Sequence, residues 1–450
     1  MALRGALADD FESGRGETDV DTEGSGTRSS ASTEGPDGAD STDATLPAGR
    51  LGVHPQDAEP VGAGDEDPDA GTLDLDSTHP LPGGLGEAGR RGELHRQHAA
   101  AGAEFAEQGG RRLPASYGDA RAEHDAVRRK AGLFDLSHLT IVDLEGAPTR
   151  EWLRTLLVSD AGRLEVGQGL YTCLCNEHGG VIDNLTVYRL GEERWRLIGN
   201  AEPRVRSLFW LERRRPAGVT LSLPPDVVML AVQGPEAVAI AGATLRATRS
   251  GCPDLDALPR FGLVTDGPLF VSRTGCSGED GLEIVLPAEE GGALWEALLV
   301  AGVRPCGLLA RDTLRLEAGL SRHGADLDEA HTPLECGLGW MVDLSDPDRA
   351  FVGREPLAAG KAVADGSGRV GLVLETPAAL EPGQAVQLAG RDVGSVTSAL
   401  HSPTLGRWIA LARTGRPIKC HCDVIVDGRP LAARSVRLPF VRPGSALEKE

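Results

Sequence analysis

Two polar residues with different chemistry stand side by side in the segment GGVIDNLTVY, Asp183 and Asn184. A carboxylate can take a proton or stabilise a nearby positive charge, whereas an amide can only donate and accept hydrogen bonds. The run GQGLYTCLC and the loop NEHGG precede this segment, which predicts a β-hairpin with both residues on its second strand. The pair is therefore a candidate catalytic site.

The alternation of side chains along a strand predicts the neighbours of each residue. The residues expected on the face of Asp183 are Val181, Leu185 and Val187. The residues expected on the face of Asn184 are Ile182, Thr186 and Tyr188, joined by Tyr171 from the first strand. Tyr171, Thr186 and Tyr188 would line a ligand-binding surface with Asn184. The two polar side chains reach one cavity only if the strand bulges, and a carboxylate among aliphatic residues needs a partner. Asp183 is either a buried structural acid or a catalytic group.

Helices and short strands alternate through the middle of the chain. The segment YGDARAEHDAVRRKAGLF (117–134) has apolar residues at helical spacing, and Gly132 is expected to end that helix. From about residue 361 the helical patterns stop. Six short strands follow at close spacing, which predicts a small β-barrel or sandwich. The predicted fold class is α+β with an all-β domain at the C-terminal end.

Composition divides the chain into three parts. Residues 1–95 contain 21 acidic and six basic residues, so they carry −15 of the net charge of −21. A segment of Gly, Asp, Glu, Ser, Thr, Ala and Pro cannot bury enough apolar surface to offset its ordering entropy. We therefore expect a disordered acidic tail over 1–92, an α+β region of two subdomains over 93–360 and a β-barrel over 361–445.

Several classes of protein are disfavoured by the same sequence. The sequence has no basic stripe that would indicate nucleic acid as a partner. It also has no run of 18 apolar residues that would indicate a membrane span. The acidic start differs from a secretory or transit peptide, and eight scattered cysteines are typical of buried thiols, so we expect a cytoplasmic protein. We expect no metal site either, because Cys420 and Cys422 of KCHCD would share a strand face from which His421 points away.

Seven segments in register resemble the T-protein of the glycine cleavage system, an aminomethyltransferase family. The resemblance covers roughly residues 95–445 and rests on GLFDLSHLTIVDLEG, LYTCLCNEHGGVIDNLTVY, VQGP, SRTGCSGEDGLEIVLP, PCGLLARDTLRLEAGL, FVGREPL and TSALHSPTLGRWIALA. It implies three domains arranged as a cloverleaf around a central folate cavity, the last domain being a β-barrel.

The resemblance also implies a reaction. Proteins of this family take an aminomethyl group from the lipoyl arm of a carrier H-protein and transfer its carbon to tetrahydrofolate, with release of ammonia. Tetrahydrofolate is then a cosubstrate, a lipoylated H-protein is the partner, and a monomer is expected. The alternative is a folate-binding paralogue without catalysis. A flavin-fused demethylase relative is disfavoured, because no GxGxxG follows a predicted strand.

Residue roles carry over by position. The family hairpin usually ends in two acids, of which the second serves folate chemistry, and Asn184 stands there in this chain. Asn200 matches a cavity residue, or is a turn-forming Asn. Glu283 matches a glutamate that contacts the pterin ring, or is a solvent-facing strand acid. Arg311 matches an arginine that binds the folate glutamate carboxylate, or pairs with Asp312 or Glu317 on its own helix.

Two further positions depart from the family. Cys276 stands where a Tyr is common, which removes one aromatic wall, and Leu139 replaces a Met of similar volume. Ser137 and His138 agree with the family. A lone buried His is more often structural than catalytic, so the sequence leaves the role of His138 open.

Overall fold

The computed structural model describes residues 92–108, 111–249, 254–362 and 367–444. The predicted acidic tail over 1–92 lies outside these ranges except for Gly92. Within the described part of the chain, no helix is both long and apolar enough to cross a membrane.

In the described part of the chain, helices, two large β-sheets and a two-stranded hairpin make up the body that precedes the barrel. The helices are α1 (His95–Ala100), α2 (Ala120–Arg129), α3 (Thr149–Leu156), α4 (Arg204–Arg214), α5 (Ala237–Thr248), α6 (Ala288–Val300), α7 (Leu308–Glu317) and α8 (Arg354–Ala362). A two-stranded hairpin lies before α2 and consists of β1 (Glu104–Gln108) and β2 (Arg111–Ser116).

The first large sheet contains the predicted hairpin. Its strands are β4 (Thr140–Glu145), β5 (Gln168–Cys175), β6 (Val181–Arg189), β7 (Arg194–Gly199) and β8 (Thr220–Ser222), in the order β5-β6-β7-β4-β8. One face packs on α3, where Trp152 and Leu153 join Leu185 and Val187 in a hydrophobic core. The sheet therefore holds β6 rigidly between two antiparallel neighbours.

The second large sheet has six strands. They are β3 (Gly132–Asp135), β9 (Val227–Gln233), β10 (Leu263–Asp266), β11 (Leu269–Ser272), β12 (Gly281–Pro287) and β13 (Arg304–Pro305), in the order β10-β11-β12-β9-β3-β13. Its strands β9 and β12 pack against α5 and α6 around the buried Trp295. The pairing of β13 with β3 is parallel, and the other pairs are antiparallel.

All six strands predicted after residue 361 are present and form a barrel rather than a sandwich. They are β14 (Gly368–Leu374), β15 (Ala385–Leu388), β16 (Arg391–Ser402), β17 (Arg407–Thr414), β18 (His421–Val426) and β19 (Arg429–Val436). Strand β14 pairs with both β17 and β19, which closes the sheet on itself. The predicted α+β class with a C-terminal barrel is confirmed.

The expected role of Gly132 is wrong. Helix α2 ends at Arg129, and Gly132 is the first residue of β3. A Cβ on Gly132 would lie 2.4 Å from Val127 Cγ2 and 2.7 Å from Cys306 Sγ. The glycine therefore allows close packing between α2, β3 and β13, and it does not terminate a helix.

A buried ionic cluster joins α7 to the barrel. Glu317, at the end of α7, is fully buried and accepts hydrogen bonds from Arg128 Nη2 at 2.8 Å and from the hydroxyl groups of Ser402 and Thr404. Arg128 also contacts Glu279 at 2.8 Å. Because these residues come from α2, α7 and the β16–β17 turn, the cluster fixes the helix that carries Arg311 against the barrel.

Candidate active site

The hairpin of β5 and β6 contains a bulge at the predicted site. Leu174 pairs with Asp183 and Cys175 pairs with Val181, so Ile182 is an extra residue in β6. The cause is a tertiary contact: the backbone N–H of Val181 donates to the carbonyl groups of Asp328 and His331, both at 3.0 Å. The bulge changes the faces that simple alternation predicts.

The predicted faces are correct for Leu185 and Val187 and wrong at the start of the strand. Ile182 lies in the same hydrophobic core as Leu185 and Val187, on the face that was predicted for Val181. Val181 packs instead with Cys173 and Cys175. The bulge accounts for both differences, since one added residue inverts the alternation on its far side.

The side chains of Asp183 and Asn184 accept hydrogen bonds from the same amide nitrogen, that of Asn200. Nδ2 of Asn200, the residue after β7, donates to Asp183 Oδ1 at 2.6 Å and to Asn184 Oδ1 at 3.0 Å. The other carboxylate oxygen of Asp183 accepts from the Asn200 backbone N–H at 3.3 Å and from Ser207 Oγ at 3.4 Å. Asp183 is 1% exposed and Asn184 is partly exposed. The Asp183 carboxylate and the Asn184 side-chain amide thus share one hydrogen-bond donor, and the carboxylate is the more deeply buried of the two.

The environment of Asp183 is unusual for an acid. Burial raises the pKa of its carboxyl group to about 7, and the hydrogen bonds from Asn200, Asn184 and Ser207 only partly oppose this shift. A buried group whose pKa lies near neutrality is typical of functional sites. Asp183 can therefore exist in either protonation state near neutral pH.

Asn184 is held in one orientation from both sides. Its Oδ1 accepts from Asn200, and its Nδ2 donates to the hydroxyl group of Tyr171 at 2.7 Å. The Tyr171 ring stacks on Trp340 with 6.4 Å between centroids and 28° between planes. Trp340 is 62% exposed. Trp340 was not among the predicted site residues, and its only signal in the sequence was an aromatic residue in the glycine-rich segment GLGWM.

Tyr188 and Thr186 lie further along β6. The Tyr188 ring is fully buried and packs edge-on against Phe270 at 5.1 Å. Its hydroxyl group lies 3.1 Å from Thr274 Oγ1, which donates to Glu283 Oε2 at 2.6 Å. Thr186 is partly exposed. Tyr188 thus connects to Glu283 through its hydroxyl group and Thr274, a residue that was not among the predicted site residues.

Glu283, on β12, and Arg311, on α7, lie in one neighbourhood. Burial raises the pKa of Glu283 and of Cys276, and the positive charge of Arg311 opposes both shifts. The carboxylates proposed as alternative partners are occupied elsewhere, Asp312 by Arg315 and Glu317 by Arg128. Arg311 has no ion pair among the described residues, which leaves it free to bind a ligand.

His138 is fixed by Arg311. Nη1 of Arg311 lies 3.1 Å from His138 Nε2, and a guanidinium group can only donate, so Nε2 is the acceptor and the proton is on Nδ1. Burial and the positive charge of Arg311 lower the pKa of His138 to about 3, so the imidazole is neutral. His138 is therefore a positioning group for Arg311.

Strand β6 connects the two groups of polar residues. Asn184, with Tyr171 and Asn200, stands at one end, and Tyr188, with Glu283, stands at the other. Four residues of extended strand separate the two groups by about 13 Å along β6. Within the described residues, no group of three or more His, Cys, Asp or Glu side chains is arranged to hold a metal ion.

The order of these parts matches a known class of protein. Residues 94–346 match the family model described as the GCVT N-terminal domain, and residues 368–442 match the one described as the glycine cleavage T-protein C-terminal barrel domain. Fold and sequence together define a chain of the GCVT class, with an α+β body followed by a barrel.

Individual relatives agree with this class. The aminomethyltransferase of Methylococcus capsulatus is 45% identical over 361 residues, which cover 80% of this chain and 99% of that protein. The aminomethyltransferase of Alcanivorax borkumensis is 43% identical over 361 residues, with coverage of 80% and 99%. The crystal structure of glycine cleavage system aminomethyltransferase T from Bartonella henselae aligns with a TM-score of 0.73 and 32% identity, covering 79% of this chain and 99% of that one.

This chain belongs to the glycine cleavage T-protein family. The family, the fold and the aminomethyltransferase activity predicted from the sequence are thereby confirmed. The match covers 99% of each of these two aminomethyltransferases, so it is not confined to one shared domain.

Proposed function

We propose that this chain moves the aminomethyl carbon from the lipoyl arm of a carrier H-protein to tetrahydrofolate. The carbon leaves its bonds to sulfur and to the amino nitrogen and forms bonds to two folate nitrogens. The two hydrogens displaced from those nitrogens end on the departing ammonia and on the departing sulfur. The products are methylenetetrahydrofolate, ammonia and the reduced dihydrolipoyl arm, so atoms and electrons balance without a further reactant.

Asp183 supplies the negative charge that Asn184 lacks. Positive charge develops at the folate nitrogens and the transferred carbon, and a carboxylate fixed nearby in a site of low polarity stabilises it. Asn200 contacts both side chains, so the charge of Asp183 is separated from the amide of Asn184 by one shared hydrogen-bond donor. Asn184 contacts the folate, and Asp183 acts through Asn200 as a positioning and electrostatic group. The bridging position of Asn200 is the observation that carries this proposal.

Glu283 and Arg311 bind one end of the folate. A carboxylate accepts two parallel hydrogen bonds from a 2-amino-4-oxopyrimidine edge, and an adjacent guanidinium group can donate to its oxo group. Because the charge of Arg311 acts on both Glu283 and Cys276, we assign Glu283 and Arg311 to the pterin end. This placement differs from the role that resemblance implied for Arg311, at the glutamate end of an extended folate.

The proposal is tested by turnover. The chain is incubated with tetrahydrofolate and with a lipoylated H-protein carrying the aminomethyl group, and methylenetetrahydrofolate and ammonia are measured. Folate binding is measured in parallel, and H-protein without lipoyl groups is the control. We expect formation of both products only with the lipoylated carrier. Folate binding without turnover, with turnover gained in Asn184→Asp, would instead indicate a folate-binding paralogue.

A further inference from the structure

A cavity of about 370 Å³ lies on the outer side of the barrel. Arg407, Arg434 and Arg437 line it, and the rest of its wall consists of apolar side chains, among them Val373 and Phe440. None of the described residues that line the cavity is acidic. Pockets that hold small organic ligands measure roughly 300–1,000 Å³, so this cavity is large enough for one.

The barrel register brings two of these arginines together. Val373 on β14 pairs with Ile409 on β17 and with Arg434 on β19, so the three residues share one face of the sheet. Arg407 precedes Ile409 by two positions and lies on the same face of β17. That face is the outer one, because Val373 and Ile409 pack with Leu316 of α7. Two arginines therefore flank Val373 from opposite sides.

The two chain segments beside the cavity are anchored at Glu317. The backbone N–H of Val441, in the segment after β19 that contains Phe440, donates to the Glu317 carbonyl group at 3.0 Å. In the β16–β17 turn, the backbone N–H of Leu405 donates to Ser402 Oγ at 3.0 Å, and that hydroxyl group donates to the Glu317 carboxylate. Leu405 and Phe440 both line the cavity. The walls are therefore fixed before any ligand binds.

The positive charge in the cavity is not balanced within the described part of the chain. All three arginines are exposed, and none of them forms an ion pair with a described residue. The first acid after β14, Glu375, contacts His421 Nε2 at 3.4 Å. Like charges around one cavity repel one another, and a bound anion relieves this repulsion. Guanidinium groups present planar N–H donors that match carboxylate and phosphate groups.

We propose that this cavity binds a small organic anion with two or more negative charges on an apolar body, such as a phosphate monoester or a polycarboxylate. Its charged groups contact the three arginines, and its apolar body packs on Val373 and Phe440. The cavity shares no residue with the candidate active site. The inference is independent of the proposed transfer reaction.

Two probes test the site by calorimetric titration of the full chain. Phenyl phosphate and benzene-1,3,5-tricarboxylate each join negative charge to an aromatic ring. We expect at least one of them to bind with a dissociation constant below about 1 mM. Arg407→Gln and Arg434→Gln should each weaken that binding about 10- to 100-fold, because each removes a charged hydrogen-bond donor. The tighter probe shows whether the site prefers phosphate or carboxylate.

Two variants and one simpler anion serve as controls. Arg429→Gln removes an exposed arginine of β19 that does not line the cavity, and it should leave probe binding unchanged. Arg311→Gln should also leave it unchanged, which separates this cavity from the candidate active site. Inorganic phosphate lacks an apolar body and should bind at least about tenfold more weakly than the better probe.

Three results would overturn the site: no binding of either probe up to about 10 mM, equal affinity for inorganic phosphate, or unchanged probe affinity in Arg407→Gln and Arg434→Gln. If these two variants raise KM for the H-protein while neither probe binds, the arginines form an interface for an acidic protein. That outcome would also overturn the small-molecule site. None of these results bears on the proposed transfer reaction, which is tested separately by turnover.

Discussion

Nδ2 of Asn200 lies 2.6 Å from Oδ1 of Asp183, a carboxylate that is almost fully buried. The same nitrogen reaches Asn184, so a single amide connects the buried acid to the partly exposed residue above it. Under the proposed function, a carboxylate in this place would provide charge without direct contact with the folate. This arrangement is how we propose that a chain with Asn at the position of a family acid keeps a working site.

The first prediction concerns pH. Because burial raises the pKa of Asp183 to about 7, the carboxylate becomes protonated as the pH falls through neutrality. We expect kcat to fall on the acidic side with an apparent pKa near 7. Steady-state rates between pH 5.5 and 9 test this, with the carrier and folate saturating. A flat profile for the unaltered chain would show that the charge of Asp183 is not used.

The second prediction concerns Asn200→Ala. Loss of this amide leaves Asp183 without its shortest hydrogen bond and releases the side chain of Asn184. We expect the free energy of unfolding to fall by about 1–3 kcal/mol, because buried acceptors lose their partner. We also expect kcat to fall at least tenfold. Urea unfolding and turnover are measured together, and Asn176→Ala, in the β5–β6 loop, serves as a control for removal of a hydrogen-bonded Asn outside the Asp183 cluster.

The third prediction concerns Tyr171→Phe. This change removes the hydroxyl group that accepts from Asn184 and keeps the ring that stacks on Trp340. The Asn184 amide then loses one of its two fixed contacts, and we expect kcat to fall by about tenfold with little change in stability. Unchanged kcat would indicate that Asn200 alone orients the amide. Trp340→Phe, which keeps an aromatic ring on Tyr171, is the matched comparison.

The fourth prediction concerns the ionic cluster around Glu317. Its hydrogen bonds, including that with His124, and the charge of Arg128 overcome burial and lower the pKa of Glu317 to about 2, from 4.5. A lowered pKa contributes stability above pH 4.5 that is lost as the pH falls toward 2. We expect Glu317→Gln to cost about 3–5 kcal/mol at pH 7, since it leaves Arg128 partly uncompensated.

The comparison for Glu317 is Glu212→Gln, which breaks the exposed pair with Arg215. That substitution should cost less than about 1 kcal/mol. Urea unfolding at pH 7 and at pH 3.5 measures both changes. The difference between Glu317→Gln and the unaltered chain should shrink at the lower pH. An equal loss for the two substitutions at pH 7 would contradict the structural role of the cluster.

The sequence predicted elements that depend on local patterns. The six barrel strands alternate apolar and polar residues between turn-forming segments, and each was found where the pattern placed it. The faces of β6 were predicted correctly for Leu185 and Val187 for the same reason. Local periodicity was insufficient at Val181, because its N–H bonds to the distant carbonyl groups of Asp328 and His331.

The site itself depends on contacts between distant segments. The sequence singled out Asp183, Asn184 and Asn200 as separate candidates, but it could not show that one amide joins them. Nor could it show that the charge of Arg311 acts on Glu283, since α7 and β12 are separated by a complete helix. Trp340 was missed because a single exposed Trp has no periodic signal. Side-chain geometry across strands is the information that the sequence lacks.

The fifth prediction is the substitution Asp183→Asn, which keeps the size of the side chain and removes its charge. Burial raises the folded pKa above the unfolded value of 3.8, so the stability that protonation provides is present below about pH 4 and is lost as the pH rises through 7. The substitution should therefore leave stability at pH 8 unchanged or higher. Asp392→Asn, on the exposed β15–β16 hairpin, is the control.

The most direct measurement is the rate of carrier-dependent methylenetetrahydrofolate formation by the unaltered chain and by Asp183→Asn at pH 8, with tetrahydrofolate affinity measured on the same samples. If Asp183 supplies the charge for transfer, the rate falls about 10²- to 10³-fold while folate affinity changes little. An Asp183→Asn variant that is folded, binds tetrahydrofolate and turns over at the rate of the unaltered chain would contradict this role for Asp183.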